Sequence, residues 1–172
     1  MTIRKLSVIA AAVFSALIFN SCEKENSSGQ TDLKIKMTDN PFDATEVNVD
    51  IREINVKMND STSNWVTLNT TSAVYNLLDF QNGIDTVLAQ GMVPTGTLKE
   101  IRFVLGDDNS IMIDNVLYPL TIPSGSESGL KLKLNKNLNA TADSLLIDFD
   151  AALSVIKTGN GEYKLKPVLK IK

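Results

Sequence analysis

From Leu33 onward, apolar and polar residues alternate with a period of two, which suits an extended strand burying one face and defeats an amphipathic helix. Leu33, Ile35 and Met37 alternate with Lys34 and Lys36 until Thr38-Asp39-Asn40-Pro41 breaks the run with turn chemistry. Val47, Val49 and Ile51 open a second run. Its phase slips by one residue at Arg52-Glu53 and resumes at Ile54, Val56 and Met58, the signature of a β-bulge. Beyond the polar turn Asn59–Asn64, Trp65, Thr67 and Asn69 lie opposite Val66 and Leu68 in a short returning strand.

Later segments repeat the pattern. Thr97–Leu105 places Ile101, Phe103 and Leu105 on one face, and Gly106-Asp107-Asp108-Asn109 is a turn. Ile111 and Ile113 face Val116–Leu120 across Asp114-Asn115, which predicts a hairpin. Leu130, Leu132 and Leu134 alternate with lysines, Leu145, Ile147 and Phe149 with Leu146, Asp148 and Asp150, and Tyr163, Leu165 and Val168 follow the turn Gly159-Asn160-Gly161. Helical turns are expected only near Tyr75–Phe80, Ile84–Gln90 and Ala151–Ile156. Eight or nine strands with regular turns predict an all-β fold. The expected form is a single antiparallel two-sheet β-sandwich, Greek-key and immunoglobulin- or transthyretin-like, over residues 33–172. Leu130–Leu134 and Lys164–Lys172 are the candidate edge strands, and Pro94, Pro119, Pro123 and Pro167 should sit at strand ends or edges.

The N-terminus reads differently. Arg4 and Lys5 precede an uncharged run from Leu6 to Phe19, too short for a bilayer span of about 20 residues but suited to a signal-peptide core. The run ends at Phe19-Asn20-Ser21-Cys22, and a small residue before a lone cysteine resembles a bacterial lipobox, although Phe19 stands where leucine is usual. Residues 1–21 are therefore expected to be a lipoprotein signal peptide. Cys22 would carry acyl chains such as palmitate, and residues 22–32 would form a flexible tether. The alternatives are a buried structural Cys22 or an uncleaved anchor. Glu23-Lys24-Glu25 beside the cysteine resembles the surface-export signal of Bacteroidetes lipoproteins, which favours the cell surface over the periplasmic face of the outer membrane.

Composition removes several chemistries. The chain has no histidine and one cysteine, so Ser-His-Asp and Cys-His catalysis, imidazole-bearing zinc sites, internal disulfides and iron–sulfur clusters are excluded. A net charge of −3 offers no footprint for nucleic acid. No phosphate-cradling glycine motif occurs, and no cofactor is expected.

Three groups of side chains remain as candidates. Asp148 and Asp150, two apart on a strand, share one face and could bind a cation or support acid–base chemistry, or simply accept backbone donors in the next turn. Asp107, Asp108 and Asn109, with Asp114 nearby, offer oxygens to a metal but lack the glycine and glutamate spacing of calcium loops, and a hairpin turn explains them better. Asp39-Asn40-Pro41 reads as an Asx-turn. Trp65, the sole tryptophan, is either a sugar-stacking platform or, in the favoured reading, a core residue. Lys, Asn and Asp could also close an isopeptide crosslink, but all three are too plentiful for their presence alone to argue for one.

Several segments together resemble a known family: Met37-Thr38-Asp39-Asn40-Pro41, Asn76–Gly83, Val93-Pro94-Thr95-Gly96 before an Ile-Arg-Phe strand, Ile122–Gly125 to Ser128–Lys131, and above all Ile147-Asp148-Phe149-Asp150-Ala151 through Gly161–Val168. The chain resembles the bacterial and archaeal DUF4382 family, whose members are largely lipid-anchored or secreted, with Leu98 replacing the usual aromatic. The resemblance implies an envelope β-sandwich and transfers no catalytic residue. The leading expectation is thus a non-catalytic lipid-anchored binding module, its partners the membrane through Cys22 and an envelope protein or glycan. The alternatives are an adhesive component assembling by strand addition, and a carboxylate-dependent enzyme acting on glycans.

Overall fold

The computed structural model describes residues 29–40, 42–59, 65–123, 129–138 and 141–172. The expected signal peptide, Cys22 and the expected tether up to residue 28 lie outside the described residues, as do Pro41 and residues 60–64, 124–128 and 139–140; the last residues of the expected tether, from Gln30, already belong to the first strand. The strands are β1 (Gln30–Thr38), β2 (Glu46–Met58), β3 (Trp65–Thr67), β4 (Asn69–Thr70), β5 (Ala73–Asn76), β6 (Thr86–Pro94) and β7 (Gly96–Leu105). They continue with β8 (Ser110–Ile113), β9 (Val116–Thr121), β10 (Leu130–Leu138), β11 (Ala142–Phe149), β12 (Val155–Lys157), β13 (Tyr163–Leu165) and β14 (Leu169–Ile171). A one-turn helix, α1 (Ala151–Ser154), and a 3-10 turn at Leu77–Phe80 complete the elements.

Two sheets result, as the alternation predicts. One has the order β14-β11-β1-β6-β4; the other runs β10-β7-β2-β8-β9-β13-β12, with β3 and β5 also pairing with β2. Leu33, Ile35, Met37, Ile147 and Phe149 from the first sheet and Val47, Val49, Ile54, Val56, Ile101 and Phe103 from the second share one buried cluster. The expectation of antiparallel pairing throughout needs correction: β1 runs parallel to β11, and β13 parallel to β9. Alternation along a strand records which face is buried but not the direction of the neighbour, which the long connections between these strands decide.

Local signals translate well. At the phase slip, Ile51 pairs with Leu105 and Glu53 with Val104, so Arg52 is the extra residue and both Arg52 and Glu53 point to solvent. Asp114 and Asn115 have φ of 51° and 61°, the left-handed pair that a two-residue type I′ hairpin requires. The helical turns after Tyr75 and at Ala151 form, but the turn expected at Ile84–Gln90 is strand β6 from Thr86. There the β1 register steps from Ala89 to Val87, skipping Leu88, so Leu88 and Ala89 are buried in succession and mimic a helical period. The expected strand through Trp65 and Asn69 is two strands, because the chain passes from one sheet to the other at buried Leu68.

Candidate functional site

The parallel ladder places Thr38 of β1 beside Asp148, and the antiparallel ladder on the other flank places Lys170 of β14 opposite the same residue. Ile147 and Phe149 point into the core, so Asp148 lies on the outer face of the sheet as the alternation requires. It is nevertheless only 2% exposed, because the segment leaving β1 and the lysines of the last strand close over it.

Within this cluster Asn40 donates from Nδ2 to Asp148 Oδ2 at 2.8 Å. Lys172 Nζ stands 3.3 Å from the same oxygen and donates to Asn40 Oδ1 at 3.1 Å. The Lys172 backbone N–H donates to the Leu146 carbonyl at 3.0 Å, which fixes where that side chain starts. The other carboxylate oxygen, Asp148 Oδ1, is buried with no hydrogen-bond partner among the described residues.

Asp150 is the N-cap of α1, accepting the Leu153 N–H at 3.0 Å, while Lys170 Nζ reaches its other oxygen at 2.9 Å. Burial raises the Asp150 pKa, but the Lys170 hydrogen bond, the Leu153 N–H and the Lys170 charge together outweigh it and hold the carboxyl below its ordinary range. Ser154 locks the turn, donating to the Asp150 carbonyl at 2.6 Å and accepting the Val168 N–H at 2.8 Å. Asp39 accepts the Ala151 N–H at 2.9 Å and Gln81 Nε2 at 3.3 Å. Burial pushes Asp39 above its usual value; those donors act against the shift and the nearby Asp148 charge adds to it.

The sequence therefore places Asp148 and Asp150 on one face, and the structure adds Asp39, Asn40, Gln81, Ser154, Lys170 and Lys172 around them. Lysines two apart at the end of β14, matching aspartates two apart at the end of β11, are the only local trace of this arrangement. Both aspartates are held by the protein's own donors. Two surface clefts, of about 370 Å³ and 330 Å³, are lined respectively by Asp32, Lys34 and Ala142–Ser144 and by Asp107, Asn109 and Pro119–Ile122. Asp148, Asp150 and Trp65 line neither.

The candidate metal residues do not converge. Asp108 pairs with Arg52 at 3.2 Å, whereas Asp114 occupies the hairpin turn beyond β8. Among the described residues no group of three or more acidic or cysteine side chains is placed to hold a metal ion. The Gly106–Asn109 turn is organised by a residue the alternation does not single out: Asp50, fully buried, accepts Arg52 Nη2 at 2.6 Å and Nε at 2.9 Å, and its N–H donates to Asn109 Oδ1 at 2.9 Å.

The favoured core placement of Trp65 is corrected as well. Trp65 pairs with Lys57 on the outer face of the second sheet, half-buried, with the Arg102 guanidinium 3.9 Å above its ring. In β3 the inward position belongs to Val66, opposite core residue Val56, and parity sends Trp65 outward.

A family model described as a domain of unknown function, DUF4382, matches residues 30–167, from the first residue of β1 to just beyond β13. No curated protein and no solved structure matches the chain.

Proposed function

We propose, from the premise that the chain belongs to the DUF4382 family, that it is a non-catalytic sandwich, anchored in the outer membrane by acylated Cys22, that binds an envelope protein or glycan. The observation that carries this reading is Trp65 on the outer face of the second sheet beside Arg102, where an aromatic ring and a cation can meet a partner. Lys57 lies beside the tryptophan in β2, with Glu100 beyond it in β7, and Lys131 lies opposite Arg102. The binding role is favoured over hydrolysis because Asp148 and Asp150 are buried and held by Asn40, Lys170, Lys172 and the start of α1.

Two experiments test it. Protease shaving of intact cells, with Cys22→Ala as the anchoring control, should remove the domain if it is displayed on the surface; survival until lysis places it in the periplasm. Screening the domain against glycans and envelope extracts should yield a partner whose binding falls at least tenfold in Trp65→Ala. Binding unaffected by that change refutes the tryptophan face.

Strand addition is favoured by a separate observation, since β10 is an edge strand of the second sheet. Leu130, Leu132 and Leu134 pack half-buried against the core, while Lys131 and Lys133 point to solvent and guard the edge against indiscriminate pairing.

A further inference from the structure

The Lys172, Asn40 and Asp148 side chains meet in a closed triangle at the end of the first sheet. Lys172 Nζ is 3.1 Å from Asn40 Oδ1 and 3.3 Å from Asp148 Oδ2, and Asn40 Nδ2 lies 2.8 Å from that same carboxylate oxygen. Asn40 follows β1, Lys172 follows β14, and Asp148 lies on β11, the strand between them. A primary amine, a carboxamide and a carboxylate touching both form a complete set for transamidation.

We propose that Lys172 and Asn40 are joined by an intramolecular isopeptide bond formed without an external enzyme, with Asp148 as the proton carrier. Asp148 takes a proton from the Lys172 ammonium, and the freed amine attacks Asn40 Cγ. The Nζ–Cγ bond forms and the Cγ–Nδ2 bond breaks. Two of the three ammonium protons leave on the departing nitrogen, so lysine and carboxamide become a secondary amide and one ammonium ion. No oxidant or cofactor enters the balance.

Three features favour this course. The reaction needs a single turnover, and holding amine and amide together replaces a bimolecular encounter by an effective molarity of up to ~10⁵ M or more in well-oriented cases. Asp148 Oδ1 is buried and has no hydrogen-bond partner among the described residues, which leaves the carboxyl an oxygen to hold the proton in transit. Asn40 is followed by Pro41, which has no backbone N–H to attack the side chain, so the usual route of asparagine loss through a succinimide is closed and the amide is preserved for Lys172. The charges that surround the triangle are Asp39 and Asp150 with its partner Lys170, and they leave Lys172 as the amine in contact with Asn40.

The test is peptide mapping by mass spectrometry of the full chain isolated from cells, beside Asn40→Ala, Lys172→Arg and Asp148→Ala. The expected result is a linked pair of peptides containing Asn40 and Lys172, lighter than their sum by one ammonia, absent from all three variants. The intact chain should also migrate faster than Lys172→Arg on a denaturing gel. Unlinked peptides with the Asn40 amide intact in the folded wild-type chain overturn the proposal, as does a link formed through Lys170. Asp148→Ala must be confirmed as folded by the emission of Trp65. A folded Asp148→Ala that links as readily as wild type removes the carboxylate from the mechanism.

Discussion

Gly106 lies directly against the Asp50 carboxylate: a Cβ built on Gly106 would stand 2.0 Å from Asp50 Oδ2 and 2.5 Å from Arg52 Nε. The glycine N–H donates to the Asp50 carbonyl at 2.9 Å, so the turn cannot move away without losing that bond. Gly106→Ala is therefore expected to destabilise the domain by about 1–3 kcal/mol, the range for forcing a methyl into filled space. A shift in the urea midpoint at constant slope is the measurement. An unchanged midpoint would mean that the turn relaxes freely and that Asp50 does not hold it.

The Asp150–Lys170 pair makes a claim about pH. Because the folded pKa of Asp150 is depressed, its contribution is present above the unfolded value of about 3.9 and is lost as pH falls through the folded one. Lys170 is raised, first by its hydrogen bond to Asp150, so its contribution is present below its unfolded pKa and lost as pH rises through the folded value. Asp39 has the opposite sign to Asp150: its raised pKa makes ionisation a cost above that value, relieved as pH falls towards the unfolded one. Lys170→Met should lower stability near neutral pH and flatten the loss seen on acidification below about pH 4. Denaturation midpoints measured across that range in both proteins decide it; parallel curves would refute the linkage.

Trp65 is the only tryptophan, so its fluorescence reports one environment. Arg102→Ala removes the guanidinium above the ring and should red-shift the emission as water replaces it. The accompanying loss of stability should be about 0.5–2 kcal/mol, the span from an exposed to a desolvated cation–π pair, because both partners are half-buried. Emission identical to wild type would mean that the stack is not populated in solution.

At the β8–β9 hairpin, Asn115 holds a φ of 61°. A β-branched residue is disfavoured there, so Asn115→Val should cost about 1–2 kcal/mol, whereas Asn115→Gly should fold without that penalty. Comparing the two unfolding midpoints isolates the backbone effect, because both changes remove the same side-chain amide.

Features written within a few residues of each other were readable from the sequence. The bulge at Arg52, the hairpin at Asp114-Asn115 and the helical turn after Asp150 each depend on local chemistry. The candidate site depends on partners far apart in the chain. Asn40 reaches Asp148 across 108 residues, Asp50 meets the turn at Asp108 across 58, and no local period encodes either meeting. Trp65 illustrates the other limit. Size and hydrophobicity argued for the core, yet strand parity and the Arg102 neighbour place it outside. Parallel pairing of β1 with β11 was likewise invisible, since both strands bury alternate residues whichever way they run.

Because β1 is an inner strand, gripped by β11 on one side and β6 on the other, a lengthwise tension entering the domain at Gln30 is borne in shear. The hydrogen bonds of both ladders lie across the direction of such a pull and resist it together, where an edge strand could be peeled off one bond at a time. Sliding β1 would also drag its alternating Leu33, Ile35 and Met37 out of register with the opposing sheet. A load applied at Gln30 would thus pass into the fold through an inner strand rather than an edge strand.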